Sequence, residues 1–121
     1  MIERILIWLL NKYQNRESLK LGGAVRSRFW QRIRQQHLNK FPNCALCGGN
    51  KVIEVHHIEP FHLKPLLELD LNNLITLCES GKNGIVCHRA FGHLGDYKRI
   101  NPNVVVDVSI WREKLINRLN T

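Results

Sequence analysis

Apolar residues recur at helical spacing near both ends of the chain and alternate with polar ones in the middle. Over residues 2–14, Ile2, Ile5, Leu6, Leu9 and Leu10 share one helical face, with Trp8 and Tyr13 beside it. That face is more apolar than a solvated helix needs, so it either packs on the domain or forms a dimer or partner surface. A polar connector then runs to Gly22-Gly23. Residues 24–40 predict a second helix, with Val25, Phe29, Ile33 and Leu38 inward and Trp30 nearby. Phe41-Pro42-Asn43 breaks it. Lys51 to Ile58 is rich in β-branched residues and predicts a strand. Pro60 and Pro65 turn the next segment into a loop, and Asn72–Cys78 predicts a second short strand or turn. Glu79–Gly84 reads as a turn-forming insertion, and Cys87-His88 opens a helix towards Gly92. After Asn101-Pro102-Asn103, a terminal helix is predicted over 102–119, its apolar side made by Val108, Trp111, Leu115, Ile116 and Leu119. The pattern as a whole predicts a small α+β architecture. Residues 1–23 form an apolar helix and connector, and 24–121 the main domain, with its core over 41–100.

Charge sharpens this picture. The chain has 121 residues and a net charge of +8, with 18 Lys+Arg against 10 Asp+Glu. Such an excess favours a polyanionic partner, nucleic acid first and an acidic membrane surface second. The basic residues concentrate on the predicted second helix, because no Asp or Glu occurs between Glu17 and Glu54. Arg26, Arg28, Arg32 and Arg34 there are candidate phosphate contacts, as are Arg89, Lys98 and Arg99 further on. The alternative for each is an ordinary solvated face. The only apolar run near the N-terminus, Ile5–Leu10, is too short to span a membrane and has no cleavage site after it. A cytoplasmic, reducing setting is therefore expected, with no membrane partner.

The chemistry-bearing residues crowd into one stretch. Cys44 to His93 holds all four cysteines and five of the six histidines. Cys44-x2-Cys47 followed by glycines has the shape of a zinc knuckle, in which a tight turn points both thiolates at one ion. Cys78 and Cys87 are more widely spaced, but an insertion containing Gly81 and Gly84 can loop out and return Cys87 to the same ion. A closed structural Zn²⁺ site of four thiolates is expected. Two disulfides or redox-active thiols are the alternatives. His56 and His57, adjacent on a strand, point to opposite faces and so take different roles. One is free to ligate a metal while the other serves as a base, since an unperturbed imidazole titrates near pH ~6.5. His37 reads as a packing or surface residue and His62 as a loop residue.

Taken together, these motifs resemble the HNH, or ββα-metal, endonucleases. The likeness lies in V-H-H-I-x-P at Val55–Pro60, N-N-L at Asn72–Leu74, L-C at Leu77-Cys78 and C-H at Cys87-His88. The run from Arg26 to Cys47 and F-G-H-L-G-D-Y-x-x-x-N-P at Phe91–Pro102 are similar to the lead-in and tail of small stand-alone members from bacteria and phages. The likeness covers residues 24–119. The eight-residue gap between Cys78 and Cys87 departs from many members, which have two.

The resemblance implies a ββα-metal hairpin and helix, clamped by a four-cysteine zinc and flanked by helices. It implies metal-dependent hydrolysis of DNA phosphodiesters in a bacterial cell or phage-infected host. On this reading His57 is the general base and His56 a ligand of the catalytic ion. Asn73 orients His57 by hydrogen bonding or binds metal. His88 is the final histidine ligand, with His93 a second ligand or substitute. The ion is expected to be Mg²⁺ or Mn²⁺, with Ni²⁺, Co²⁺ or Zn²⁺ also compatible with imidazole ligands. The partner is DNA, and a homodimer through the N-terminal helix is a further expectation. Two rivals remain. A zinc-ribbon nucleic-acid-binding module without activity explains the thiols and the charge but not the histidines. A disulfide-stapled secreted toxin explains the thiols alone.

Overall fold

Alternation in Val52–His57 and Leu74–Ser80 builds an antiparallel hairpin, strands β1 and β2, that organises everything else. The structure, a computed structural model, describes residues 26–80 and 85–119. The predicted helix over 2–14, its connector, the dimer surface and the loop tip at 81–84 lie outside those residues. Register pairs Val55 with Thr76 and His57 with Leu74 on one face, and Glu54 with Leu77 and His56 with Ile75 on the other, and becomes irregular between the pairs Ile53–Cys78 and Val52–Ser80. The hairpin thus sends His56 and His57 to opposite sides, as strand geometry requires.

Each face has its own core. On the His57 side, helix α1 (Trp30–Lys40) packs Ile33 against Val55, Leu69 and Leu74. On the other side, Leu77 meets the sulfurs and helix α2 (Val104–Leu119), which contributes Val104, Val108 and Leu115. Leu77 and Val104 are fully buried, each worth about 1.5–3 kcal/mol of apolar transfer.

Several elements differ from the sequence-based expectation, each for a local reason. Helix α1 starts at Trp30, not near 24. The Ser27 hydroxyl accepts the Phe29 N–H at 3.0 Å and the Ser27 N–H donates to the buried Glu68 carboxylate at 3.0 Å, which fixes a turn instead of a helical start. Strand β2 begins at Leu74 because Asp70 accepts the Asn72 N–H at 2.9 Å and winds Leu71–Asn73 into a 3₁₀ turn. It also continues through Glu79 and Ser80, where a turn was expected. In α2 the buried stripe runs through 104, 108 and 115. Trp111 is 46% exposed and touches Phe91 at 5.9 Å between ring centroids, while Ile116, off the stripe, is 44% exposed.

After Cys87 the chain makes a π-helical turn, His88–Gly92, instead of an α-helical one. Residues five apart in an α-helix lie on different sides, whereas a wider π turn brings them nearly into line, so His88 and His93 can share a site. Asn101 ties this turn to α2, donating to the Phe91 carbonyl at 2.7 Å and to Asp107 at 2.9 Å.

Candidate metal centres and active site

The first centre is built of sulfur. Backbone bonds from Cys44 N to Gly49 O (2.7 Å) and Gly48 N to Cys44 O (3.0 Å) close the knuckle, and Gly48 takes φ +77°, a conformation natural only to glycine. The knuckle is sewn to β2 by Ala45 N to Thr76 O at 2.8 Å. Cys78 arrives from β2 and Cys87 from the start of the π turn. All four sulfurs lie within 4.8 Å of one another, and Cys47 and Cys78 are 3.6 Å apart. Tetrahedral zinc with ~2.3 Å bonds sets its sulfurs roughly 3.8 Å apart, so the arrangement fits that ion. All four cysteines are free, with sulfur separations that suit a shared ion. A hydrogen bond from the Cys87 thiol pulls Cys44 down to about 4, whereas the same contact and burial push Cys87 well up, and burial pushes Cys78 up to about 11. Four thiolates this close need a cation among them.

The second centre is built of nitrogen. His56 from β1 and His88 and His93 from either end of the π turn bring one ring nitrogen each within 4.8 Å of the others. His88 Nε2 is 3.1 Å from His56 Nδ1 and 3.1 Å from His93 Nε2. The far nitrogens decide the protonation. His93 Nδ1 donates to the Arg99 carbonyl at 2.9 Å, and His88 Nδ1 donates to the Glu79 carboxylate. In the neutral rings both Nε2 atoms therefore present lone pairs to each other, an arrangement that a cation between them stabilises. Burial, with the neighbouring His88 and His93, pushes His56 down to about 3, so its imidazole is neutral at neutral pH, the form that can ligate a metal. Gly92 makes room: a Cβ there would sit 3.1 Å from His56 Cε1 and 3.2 Å from His88 Cδ2. The donor set thus fits a divalent ion that tolerates imidazole.

His57 stands across the hairpin from this cluster, with its ring 4.5 Å from that of Trp30. Its Nε2 lies 2.9 Å from the Glu68 carbonyl, which can only accept, so Nε2 carries the proton. Its Nδ1 lies 3.5 Å from Arg26 Nη1, which can only donate, so Nδ1 holds the lone pair. Burial pushes His57 down to about 4, and it is neutral at neutral pH. Both sides of the hairpin open on one cleft of about 420 Å³, lined by His56, His57, His88 and His93.

The HNH endonuclease family model matches residues 44–93, a span that takes in both centres and His57. The chain carries an HNH domain. No curated protein and no solved structure matches the chain.

Within the HNH domain, Asn73 does not make the hydrogen bond to His57 that the sequence suggested. Its amide accepts from Glu59 N at 2.8 Å and donates to the carbonyls of Glu59 (3.0 Å) and Leu67 (3.2 Å). It braces the 59–67 loop, and the Glu68 carbonyl just beyond that loop holds His57. Of the predicted phosphate contacts, Arg26, Arg34, Lys98 and Arg99 line the cleft, and His62 joins them. Arg26 is not on the helix as expected; its guanidinium lies 4.6 Å from the Phe61 ring centroid and 5.6 Å from that of Trp30. Arg34 pairs with Glu54 at 3.8 Å. Arg28, Arg32 and Arg89 are exposed and lie outside the cleft lining.

Glu68, Gly92, Glu79 and Tyr97 were not foreseen from the sequence. Glu79 falls at a register irregularity opposite Val52 and Ile53, so alternation along β2 does not place its side chain. The other three carry no local signature. Among the described residues, no helix is long and apolar enough to cross a membrane.

Proposed function

We propose that this HNH domain hydrolyses DNA phosphodiester bonds, with His57 as general base and a divalent ion held by His56, His88 and His93. The observation that carries the reading is the wiring of His57. A neutral imidazole, proton on Nε2 and lone pair on Nδ1, lines the same cleft as three converging histidine lone pairs. A binding module has no use for that pairing.

Arg26, Arg34, Lys98 and Arg99 grip backbone phosphates at the cleft without reading sequence. An incoming phosphate draws the Arg26 guanidinium off His57 Nδ1, which frees the lone pair. His57 then takes a proton from water as its oxygen attacks phosphorus, and the bond from Nε2 to the Glu68 carbonyl strengthens as the ring becomes cationic. The P–O3′ bond breaks and the leaving oxygen takes a proton from solvent water, which gives 5′-phosphate and 3′-hydroxyl ends. His56, His88 and His93 would hold a divalent ion, Mg²⁺, Mn²⁺ or a softer Ni²⁺, Co²⁺ or Zn²⁺, which would supply stabilisation of the negative charge that develops in the reaction. Zn²⁺ on Cys44, Cys47, Cys78 and Cys87 holds the frame, and free thiols suit a reducing cytoplasm.

The test is plasmid cleavage by the parent and by His57→Ala. The variant is expected to lose about 10²–10⁴-fold in rate while keeping zinc and DNA affinity. A variant that cuts as fast as the parent overturns the base assignment.

A further inference from the structure

Each histidine of the nitrogen cluster needs its ring fixed if its lone pair is to point at the ion. For His93 the anchor is a neutral backbone carbonyl, that of Arg99. For His88 it is different in kind: Nδ1 donates to a carboxylate oxygen of Glu79. The second oxygen of that carboxylate accepts the Tyr97 hydroxyl at 2.5 Å, and the Tyr97 ring leans on both His88 (5.6 Å between centroids) and His93 (5.3 Å). Glu79 is thus held from both ends, between an imidazole and a phenol. It comes from β2 at the register irregularity opposite Val52 and Ile53, and its bond to His88 joins the hairpin to the π turn. The cleft is rich in positive charge and needs no acid for phosphate binding; Glu54, the carboxylate that lines it, pairs with Arg34, whereas Glu79 lies outside the lining and contacts His88.

A carboxylate behind a ligating imidazole fixes the tautomer and ring orientation and strengthens the nitrogen as a donor. It also adds one negative charge behind three neutral ligands. We infer that Glu79, clamped by Tyr97, is the positioning residue of the histidine centre, orienting His88 and setting the affinity of the centre for a divalent ion. The inference rests on the reading of His56, His88 and His93 as ligands.

The experiment uses the full chain with its zinc loaded, so that added Co²⁺ fills only the histidine centre. Co²⁺ affinity is measured by titration calorimetry and by the visible absorption of the bound ion, in the parent, Glu79→Ala, Glu79→Gln, Tyr97→Phe and His88→Ala. Zinc content and thermal unfolding check the frame. Expected are a loss of binding in His88→Ala and about 10- to 100-fold weaker Co²⁺ binding in Glu79→Ala. Glu79→Gln, which keeps an acceptor but not the charge, should recover part of that loss with an altered absorption band. Tyr97→Phe should weaken binding only a few-fold. If His88→Ala loses Co²⁺ while both Glu79 variants bind it like the parent, the positioning role is overturned and the ligand reading stands. If the parent takes up no Co²⁺ beyond its zinc, the ligand reading itself falls and the inference with it.

Discussion

The two clusters of ligating side chains sit on the same hairpin and are built in opposite ways. The sulfur centre is sealed: Cys44, Cys78 and Cys87 are buried, four sulfurs lie within 4.8 Å of one another, and the surrounding apolar residues form one of the two cores. The nitrogen centre offers three side chains that could ligate an ion, opens on a cleft, and borders basic side chains instead of a core. A closed ligand set leaves an ion nothing to do but hold the chain; an incomplete one leaves room for water and substrate. The difference teaches that proximity of ligands alone does not assign a role, whereas the completeness of the set and what surrounds it do.

The comparison can be broken most severely at the sulfur centre. Cys78→Ser is expected to abolish zinc binding and cooperative unfolding, because the lost free energy is comparable with the roughly 5–15 kcal/mol stability of a whole domain. Metal analysis and circular dichroism melts check this. His56→Ala should do the reverse. One zinc and a cooperative melt persist, while calorimetry detects no ion at the histidine centre and plasmid cleavage is lost. Gly92→Ala should have a smaller effect, about ten-fold weaker Co²⁺ binding, since the new methyl must displace the His56 or His88 ring.

The smallest effect lies away from both centres, at His37. This histidine is 5% exposed, its Nε2 has no hydrogen-bond partner among the described residues, and burial lowers its pKa from 6.5. The unfolded chain therefore binds a proton there at a higher pH than the folded one. Its contribution to stability is full above about pH 6.5 and falls as the pH drops below that value. Denaturant melts from about pH 7 to about pH 5 should show a shallower loss in His37→Phe than in the parent.

Much of this site was legible in the sequence because ligand chemistry is local. Cys44-x2-Cys47 with its glycines, the His56-His57 pair and Cys87-His88 declare themselves by residue type and spacing, and the structure gathers the four cysteines in one cluster and His56, His88 and His93 in another. What was not legible depends on register and on contacts distant in sequence. Glu79 meets His88 only because β2 runs two residues past Cys78. The start of α1 is set by Glu68, forty-one residues from its partner Ser27. Whether His88 or His93 joins His56 was open in the sequence; a π turn, which has no clear residue signature, lets both do so. Asn73 was expected to partner His57, but its amide is consumed by the loop that positions the real partner, the Glu68 carbonyl.

The most direct test of the division between the two centres is selective removal of one ion. Brief treatment with a mild chelator should yield protein that retains one zinc, folds as before and leaves supercoiled plasmid uncut. Adding back Mg²⁺, Mn²⁺ or Ni²⁺ should restore cutting in the parent and not in His57→Ala. Cutting by the one-zinc protein before any ion is added back, or none with any ion, would contradict the account.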